Sequence, residues 1–146
     1  VIEKLPPEAW EKIEWHTYGQ KDEQIANKPI FQHGRLNHQQ LGKLFNDCHV
    51  MLLYSVEESW AIFPMEGMLA GTLLLGNNVG NDDYLKPNHN FIEANTADEI
   101  VKKLGDLIHD LPKRENPFPM VTNGYADAQS YTWRESTNRL KEIFKC

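Results

Sequence analysis

The chain has 146 residues, 40% of them hydrophobic and 25% charged, with a formal net charge of −6. That length sustains one domain with a real core, burying roughly 68–70% of its unfolded surface. The acidic balance argues against a nucleic-acid binder, which would present a basic face, and no apolar run reaches the ~18 residues of a membrane span.

Strand-like and helix-like segments alternate along the chain, the pattern of an α/β layered domain with a parallel sheet. Residues 13–18 form a short strand candidate ending at Gly19, and residues 29–32 a second ending at Gly34. Residues 38–47 carry Leu41, Leu44 and Phe45 at helical spacing. Residues 49–54 (HVMLLY) make a near-continuous apolar run, as expected of a central parallel strand covered on both faces. Pro64 suits a first helical position, and Gly71 closes that run as a C-terminal glycine. Residues 72–75 (TLLL) read as another buried strand, and Phe91-Ile92 as a short last one.

Further on, Thr96 and Glu99 have capping-box spacing ahead of Ile100, Leu104, Leu107, Ile108 and Leu111 on one helical side. Residues 112–119 read as a proline-rich connector. Thr132 and Glu135 repeat the capping device before a last helix carrying Leu140, Ile143 and Phe144. There is no internal repeat, so one domain is expected. Trp10, Trp15 and Trp133 are expected to pack within their separate elements. The two cysteines, Cys48 and Cys146, have neither metal-ligand spacing nor a disulfide pattern. A reducing, cytoplasmic setting is expected, with Cys48 a small buried thiol among Phe45, Val50 and Leu52. No signal peptide is visible.

In an open parallel sheet, ligands bind beyond the carboxyl ends of the strands, so the loops after Tyr18, Gln32, Tyr54 and Leu75 are the ones to inspect. Residues 55–71 (SVEESWAIFPMEGMLAG) hold the richest chemistry. Glu58 lies in the loop and Glu66 in the first turn of the helix opened by Pro64, with seven residues between them. A carboxylate in a first turn is favoured by the helix dipole, so Glu66 has a structural reading. That turn also offers backbone N–H groups near Phe63 and Met65 to an anion such as a diphosphate. One carboxylate can accept hydrogen bonds from both vicinal hydroxyls of a ribose. Spacing alone leaves the two readings of Glu66 level. Trp60 is equally a platform for a sugar ring and an anchor packed on the sheet. His33, His38 and His49 lack compact metal spacing. Asp82-Asp83 reads as a polar turn or as a sugar contact.

Residues 55–71 resemble the donor-site signature of retaining glycosyltransferases of the GT-B fold, family 4 in particular (glycosyl transferases group 1). There a strand is followed by S-x-x-E, a small-aromatic-small loop, a proline and E-A-M-x-x-G. Here stand Ser55, Glu58, Ser59-Trp60-Ala61, Pro64 and Glu66-Gly67-Met68-Leu69-Ala70-Gly71. The likeness extends to residues 31–44, as the strand, glycine and helix preceding the signature, and to the C-terminal helix at residues 131–144. Gly80-Asn81-Asp82-Asp83-Tyr84 stands where the family often has a glycine-rich loop ending in an acid.

The resemblance implies a Rossmann-like three-layer domain, one half of a GT-B fold, spanning residues 1–146. It implies that Glu58 is catalytic, lying near the transferred sugar and contacting its hydroxyls, and that Glu66 binds the ribose of the donor nucleotide. Ser59 and Trp60 belong to the donor loop, and backbone amides around Ala61, Ile62 and Phe63 would meet phosphate or sugar. Arg35 and Leu36 would sit beside the nucleobase, and Gly19 at the floor of the diphosphate pocket. The donor is a nucleoside-diphosphate sugar, with no cofactor and no obligatory metal.

Three departures stand out. Ser59 and Ala61 occupy positions that are usually glycine, and Thr72 replaces a frequent proline. The family's first strand, with its arginine and lysine, and the acceptor-binding N-terminal domain do not precede Val1. The chain therefore reads as part of a longer enzyme for polysaccharide or glycoconjugate biosynthesis, or as a divergent partial domain, inactive alone, with peripheral membrane association of the whole protein left open. Two other classes compete. A receiver-type signalling domain would need an aspartate where Tyr54-Ser55 stand, and is set aside. A non-catalytic nucleotide- or carbohydrate-binding module of the same fold remains the alternative.

Overall fold

A computed structural model describes residue 4 and residues 7–20, 29–110 and 119–144. In chain order the elements are α1 (Pro7–Lys12), β1 (Trp15–Thr17), β2 (Ile30–Gln32), α2 (His38–Asp47), β3 (Val50–Leu53) and α3 (Phe63–Leu69). β4 (Leu73–Gly76), β5 (Ile92–Glu93), α4 (Ala97–Asp110), α5 (Pro119–Gln129) and α6 (Trp133–Ile143) follow.

Among the described residues all strand pairs are parallel, as the alternating pattern predicts, and they form two sheets. β1 pairs with β2, Trp15 opposite Ile30. β3, β4 and β5 pair in that order, with Val50 opposite Leu73 and Leu75 opposite Ile92. The single sheet expected from the sequence is thus a two-stranded ribbon beside a three-stranded one.

Side chains alternate across a strand with period two, and here the alternation builds two cores on opposite faces of the larger sheet. Val50 and Leu52 of β3 and Leu73 and Leu75 of β4 join a cluster with Ile100, Leu104 and Leu107 of α4. The intervening Met51, Leu53 and Leu74 join a second cluster with Met65 and Met68 of α3 and Ala128 of α5. The layers are therefore helix, sheet, helix. Trp15 of β1 and Ile30 of β2 belong to the α4 side, which ties the small ribbon to the same core.

Local chemistry explains the boundaries. Asn37 caps α2: its Oδ1 accepts from the Gln40 N–H at 2.9 Å, and the Gln40 side chain accepts from the Asn37 N–H at 3.0 Å. After α3, the Thr72 N–H donates to the Gly67 carbonyl at 2.9 Å and the Gly71 N–H to that of Met68 at 3.1 Å, a Schellman closure. At α4 the Glu99 N–H donates to Thr96 Oγ1 at 3.2 Å, but the Glu99 carboxylate accepts from Asn95, not from Thr96 as in a full capping box.

Several expectations change. Pro119 opens helix α5 instead of ending the proline-rich connector, whose residues 111–118 lie outside the described ones. α6 forms as expected and is capped by Thr132, yet none of its residues is buried. Trp133, expected to pack, is 91% exposed, because no described element covers that helix face. Cys48 is half-buried rather than fully so. Its thiol is pushed up first by burial, then by the Asp47 and Glu14 carboxylates. Cys146 is outside the described residues. Trp10 and Trp15 do pack, with ring centroids 5.6 Å apart.

Candidate functional site

Two loops leave the carboxyl ends of β3 and β4 and are bolted together by asparagine side chains. The Ser55 N–H donates to Asn77 Oδ1 at 2.9 Å, and Asn77 Nδ2 returns a bond to the Ser55 carbonyl at 2.6 Å. The Ala61 N–H donates to Asn81 Oδ1 at 2.8 Å, and Asn81 Nδ2 donates to the Val79 carbonyl at 2.9 Å. The Tyr84 hydroxyl lies 2.5 Å from the Ala61 carbonyl and 2.8 Å from Asn81 Oδ1, so one proton serves two acceptors.

Gly80 makes the close approach possible. Its φ is +69°, and a Cβ built there would sit 2.0 Å from the Glu58 carbonyl oxygen. The segment carrying Glu58, Ser59, Trp60 and Ala61 is thus clasped from below by residues 80–84. Glu58 is half-buried, and its Oε1 accepts from the Ser59 N–H at 3.1 Å. Burial holds the Tyr84 phenol well above the usual tyrosine range, and the nearby Glu58 carboxylate adds to this.

Glu66, one turn into α3, is also half-buried, and its N–H donates to the Ile62 carbonyl at 3.1 Å. Its charge is felt by Tyr18, at the end of β1: burial first, then the Glu66 carboxylate, raises that phenol. Tyr18 packs edge-on against Phe45 of α2, centroids 5.5 Å apart. The next residue, Gly19, donates its N–H to the Gly34 carbonyl at 2.8 Å, which joins the turns after β1 and β2. A Cβ at Gly19 would meet none of the described residues within 4 Å. Arg35 is exposed and Leu36 half-buried just beyond it.

The sequence-predicted residues therefore fall into two groups. Glu58, Ser59, Trp60 and Ala61 lie on the wall built by the β3 and β4 loops. Gly19, Arg35 and Leu36 lie on the wall built by β1 and β2, where Tyr18 meets the field of Glu66. Ile62, exposed, is the N-cap position of α3, and Phe63, half-buried, packs into the α3 core.

The Ala61 amide, expected among the groups facing phosphate or sugar, donates to Asn81 Oδ1 in a buried bond. Trp60 is anchored edge-on against Tyr84 at 5.5 Å and near Tyr131 at 6.3 Å, while 41% of it stays exposed. Asp82 is a turn residue, accepting from Asn78 Nδ2 at 3.0 Å. His33 stacks on His16, ring nitrogens 2.9 Å apart. Among the described residues no three His, Cys, Asp or Glu side chains converge as a metal site would require, and no helix is long and apolar enough to cross a membrane.

Sequence reasoning missed Asn77, Asn81 and Tyr84 as supports of the loop. Asparagine readily bonds backbone groups near turns, and the Asn-rich stretch after β4 was the available signal.

Helix–sheet–helix layering with parallel strands is the architecture expected of one half of a GT-B glycosyltransferase fold. The family model described as glycosyl transferases group 1 matches residues 19–119, and the chain belongs to that family. Solved structures agree in fold. Anabaena HepE in complex with UDP-glucose superposes with a TM-score of 0.74 at 16% identity, over 97% of this chain and 42% of that one. The pneumococcal O-GlcNAc transferase GtfA, in complex with UDP and GlcNAc, gives 0.68 at 22% identity, over 93% and 30%. TarM gives 0.70 at 16% identity, over 92% and 29%. The chain thus spans less than half the length of these proteins. No curated protein matches it by sequence.

Proposed function

We propose that residues 1–146 are the donor-binding C-terminal half of a retaining, family 4 type hexosyltransferase that takes a nucleoside-diphosphate sugar. Glu66 holds the ribose hydroxyls, and Glu58 faces the sugar being transferred. The amides of Ile62 and Phe63, at the start of α3, attend the phosphates. Gly19 lines the diphosphate floor, and Arg35 and Leu36 flank the base. The glycosyl group migrates as an electrophile: its bond to the diphosphate oxygen breaks as the acceptor hydroxyl oxygen bonds to the same carbon, and the hydroxyl proton leaves with the diphosphate. Fixed backbone donors favour the departing diphosphate without any obligatory metal. The acceptor is held by an N-terminal domain of the longer protein, in the cytoplasm, and the chain alone does not turn over.

The observation that carries this reading is the placement of the two carboxylates. Glu58 lies in the loop after β3, on the wall held by Asn81 and Tyr84, and Glu66 in the first turn of α3, on the side of Tyr18 at the end of β1. A nucleotide sugar presents its hydroxyls in that way, ribose at one end and hexose at the other. The complexes of HepE and GtfA contain UDP, which makes it the first nucleotide to try. Calorimetric titration of the chain should show weak binding of UDP or GDP, reduced about tenfold or more by Glu66→Ala, the loss of a charge-assisted hydrogen-bond acceptor. Binding of no nucleotide, or binding indifferent to Glu66→Ala, refutes the assignment.

A further inference from the structure

We propose that Asn81 is a positioning residue: it touches no donor atom, and it sets the backbone of Ala61 so that Glu58 is presented to the transferred sugar. The inference rests on the donor-site reading above and extends it to the loop after β4.

Asn81 is 5% exposed, and three of its four hydrogen-bonding valences are spent on protein. Its Oδ1 takes the Ala61 N–H and the Tyr84 hydroxyl, and its Nδ2 gives to Val79. A carboxamide so committed has little left for a ligand. What it controls is the end of a four-residue segment whose other end, the Glu58 carbonyl, is pressed against Gly80. Asn81 and Gly80 are adjacent in sequence, so residues 58 and 61 are fixed by one short stretch of backbone. Tyr84, 1% exposed, closes the clasp by donating to the Ala61 carbonyl, so both polar groups of Ala61 are engaged. The ring of Trp60, between them, is propped by the same Tyr84.

Asn77 makes a comparable two-point grip, but on Ser55, three residues upstream of Glu58. The Glu66 end of the loop depends on α3, whose own helical bond to Ile62 does not involve Asn81. Loss of Asn81 therefore frees the Glu58 segment while leaving Glu66 on its helix. Ground-state packing alone predicts something different, a drop in stability with every ligand weakened alike.

The test compares UDP with UDP-glucose by calorimetry on this chain, as wild type, Asn81→Ala, Glu58→Ala and the double variant. Asn81→Ala should leave the UDP affinity within about twofold and abolish the extra affinity of UDP-glucose, a loss of about tenfold for one unsatisfied buried hydrogen bond. In the Glu58→Ala background the same change should have no further effect on UDP-glucose, because the two act through one contact. Equal weakening of both ligands, no weakening, or additive losses in the double variant overturns the proposal. A wild type that binds neither ligand refutes the donor-site reading itself, and the proposal falls with it. Should Asn81→Ala not fold, Tyr84→Phe removes only the hydroxyl and should give the same selective loss, smaller in size.

Discussion

The two walls of the site are built to different standards. The β3–β4–β5 wall is covered on both faces: Leu73, Leu74 and Leu75 are all at or below 1% exposure, and its two loops are cross-bonded by Asn77 and Asn81. The β1–β2 wall is a three-residue ribbon joined to the core through Trp15 and Ile30, with Phe31 54% exposed on its outer side. The difference matches the jobs proposed for each. Orienting a sugar for transfer requires placement to a fraction of an ångström, whereas a flat base tolerates a looser neighbour. A stiff wall beneath Glu58 and a lightly held one beside Arg35 is the division this fold provides.

The sharpest way to break the comparison is to remove apolar bulk from each wall. Leu74→Ala deletes buried methyl groups between β3, α3 and Tyr84, and should cost about 2–5 kcal/mol. Phe31→Ala removes a mostly exposed ring, stacked on His16 at 5.2 Å, and should cost under about 1 kcal/mol. Urea denaturation of the two variants measures the gap. Equal losses would mean that the ribbon is as integral to the core as the larger sheet.

A glycine pair probes the same contrast at smaller scale. Gly80 and Gly19 both have positive φ, +69° and +98°, so alanine at either is strained by about 1–2 kcal/mol. At Gly80 the new Cβ strikes the Glu58 carbonyl oxygen at 2.0 Å, whereas at Gly19 it meets none of the described residues within 4 Å. Gly80→Ala should therefore be the more destabilising by thermal melting, and should also weaken UDP-glucose relative to UDP by displacing Glu58. Gly19→Ala should lower the melting temperature less. The reverse order would show that the turn after β1 is the more tightly packed.

How much of this was legible in the sequence follows from the range of the interactions. α2 was readable because its apolar face and polar flank lie within ten residues, and β3 and β4 because runs such as VMLL and LLLG require cover on both sides. The division into two sheets was not readable, since strand pairing is decided by contacts between distant segments. α5 escaped notice because it packs through small residues: Gly124 and Ala128 are its buried positions, and a Cβ on Gly124 would meet Met68 Cγ at 3.2 Å. A face made of glycine and alanine leaves no apolar stripe to find. α6 shows the converse, a legible amphipathic helix whose apolar side no described residue covers. At the site, Glu58 and Glu66 stood out because a short spacing and a helix start connect them. Their supports did not, because the bond from Ala61 to Asn81 spans 20 residues and the turn between is written in asparagines that serve turns everywhere.

The smallest expected effect concerns the tyrosines that face the two carboxylates. Burial, with Glu58 secondary, raises Tyr84, and burial, with Glu66 secondary, raises Tyr18. In the unfolded chain both phenols release a proton near the ordinary value of 10.0, while the folded chain still holds it. Folding then retains protons, so this part of the stability is fully present below that value and declines as pH rises above it. Tyr84 is 1% exposed and donates to Ala61, whereas Tyr18 is 40% exposed at the edge of the ribbon. Between pH ~9 and ~11, a range set by the tyrosine value, the slope of unfolding free energy should flatten more in Tyr84→Phe than in Tyr18→Phe. Denaturant titrations across that interval give both slopes. If Tyr18→Phe flattens it more, the phenol on the β1–β2 wall is the better protected of the two, and the stiff and the loose wall must be exchanged.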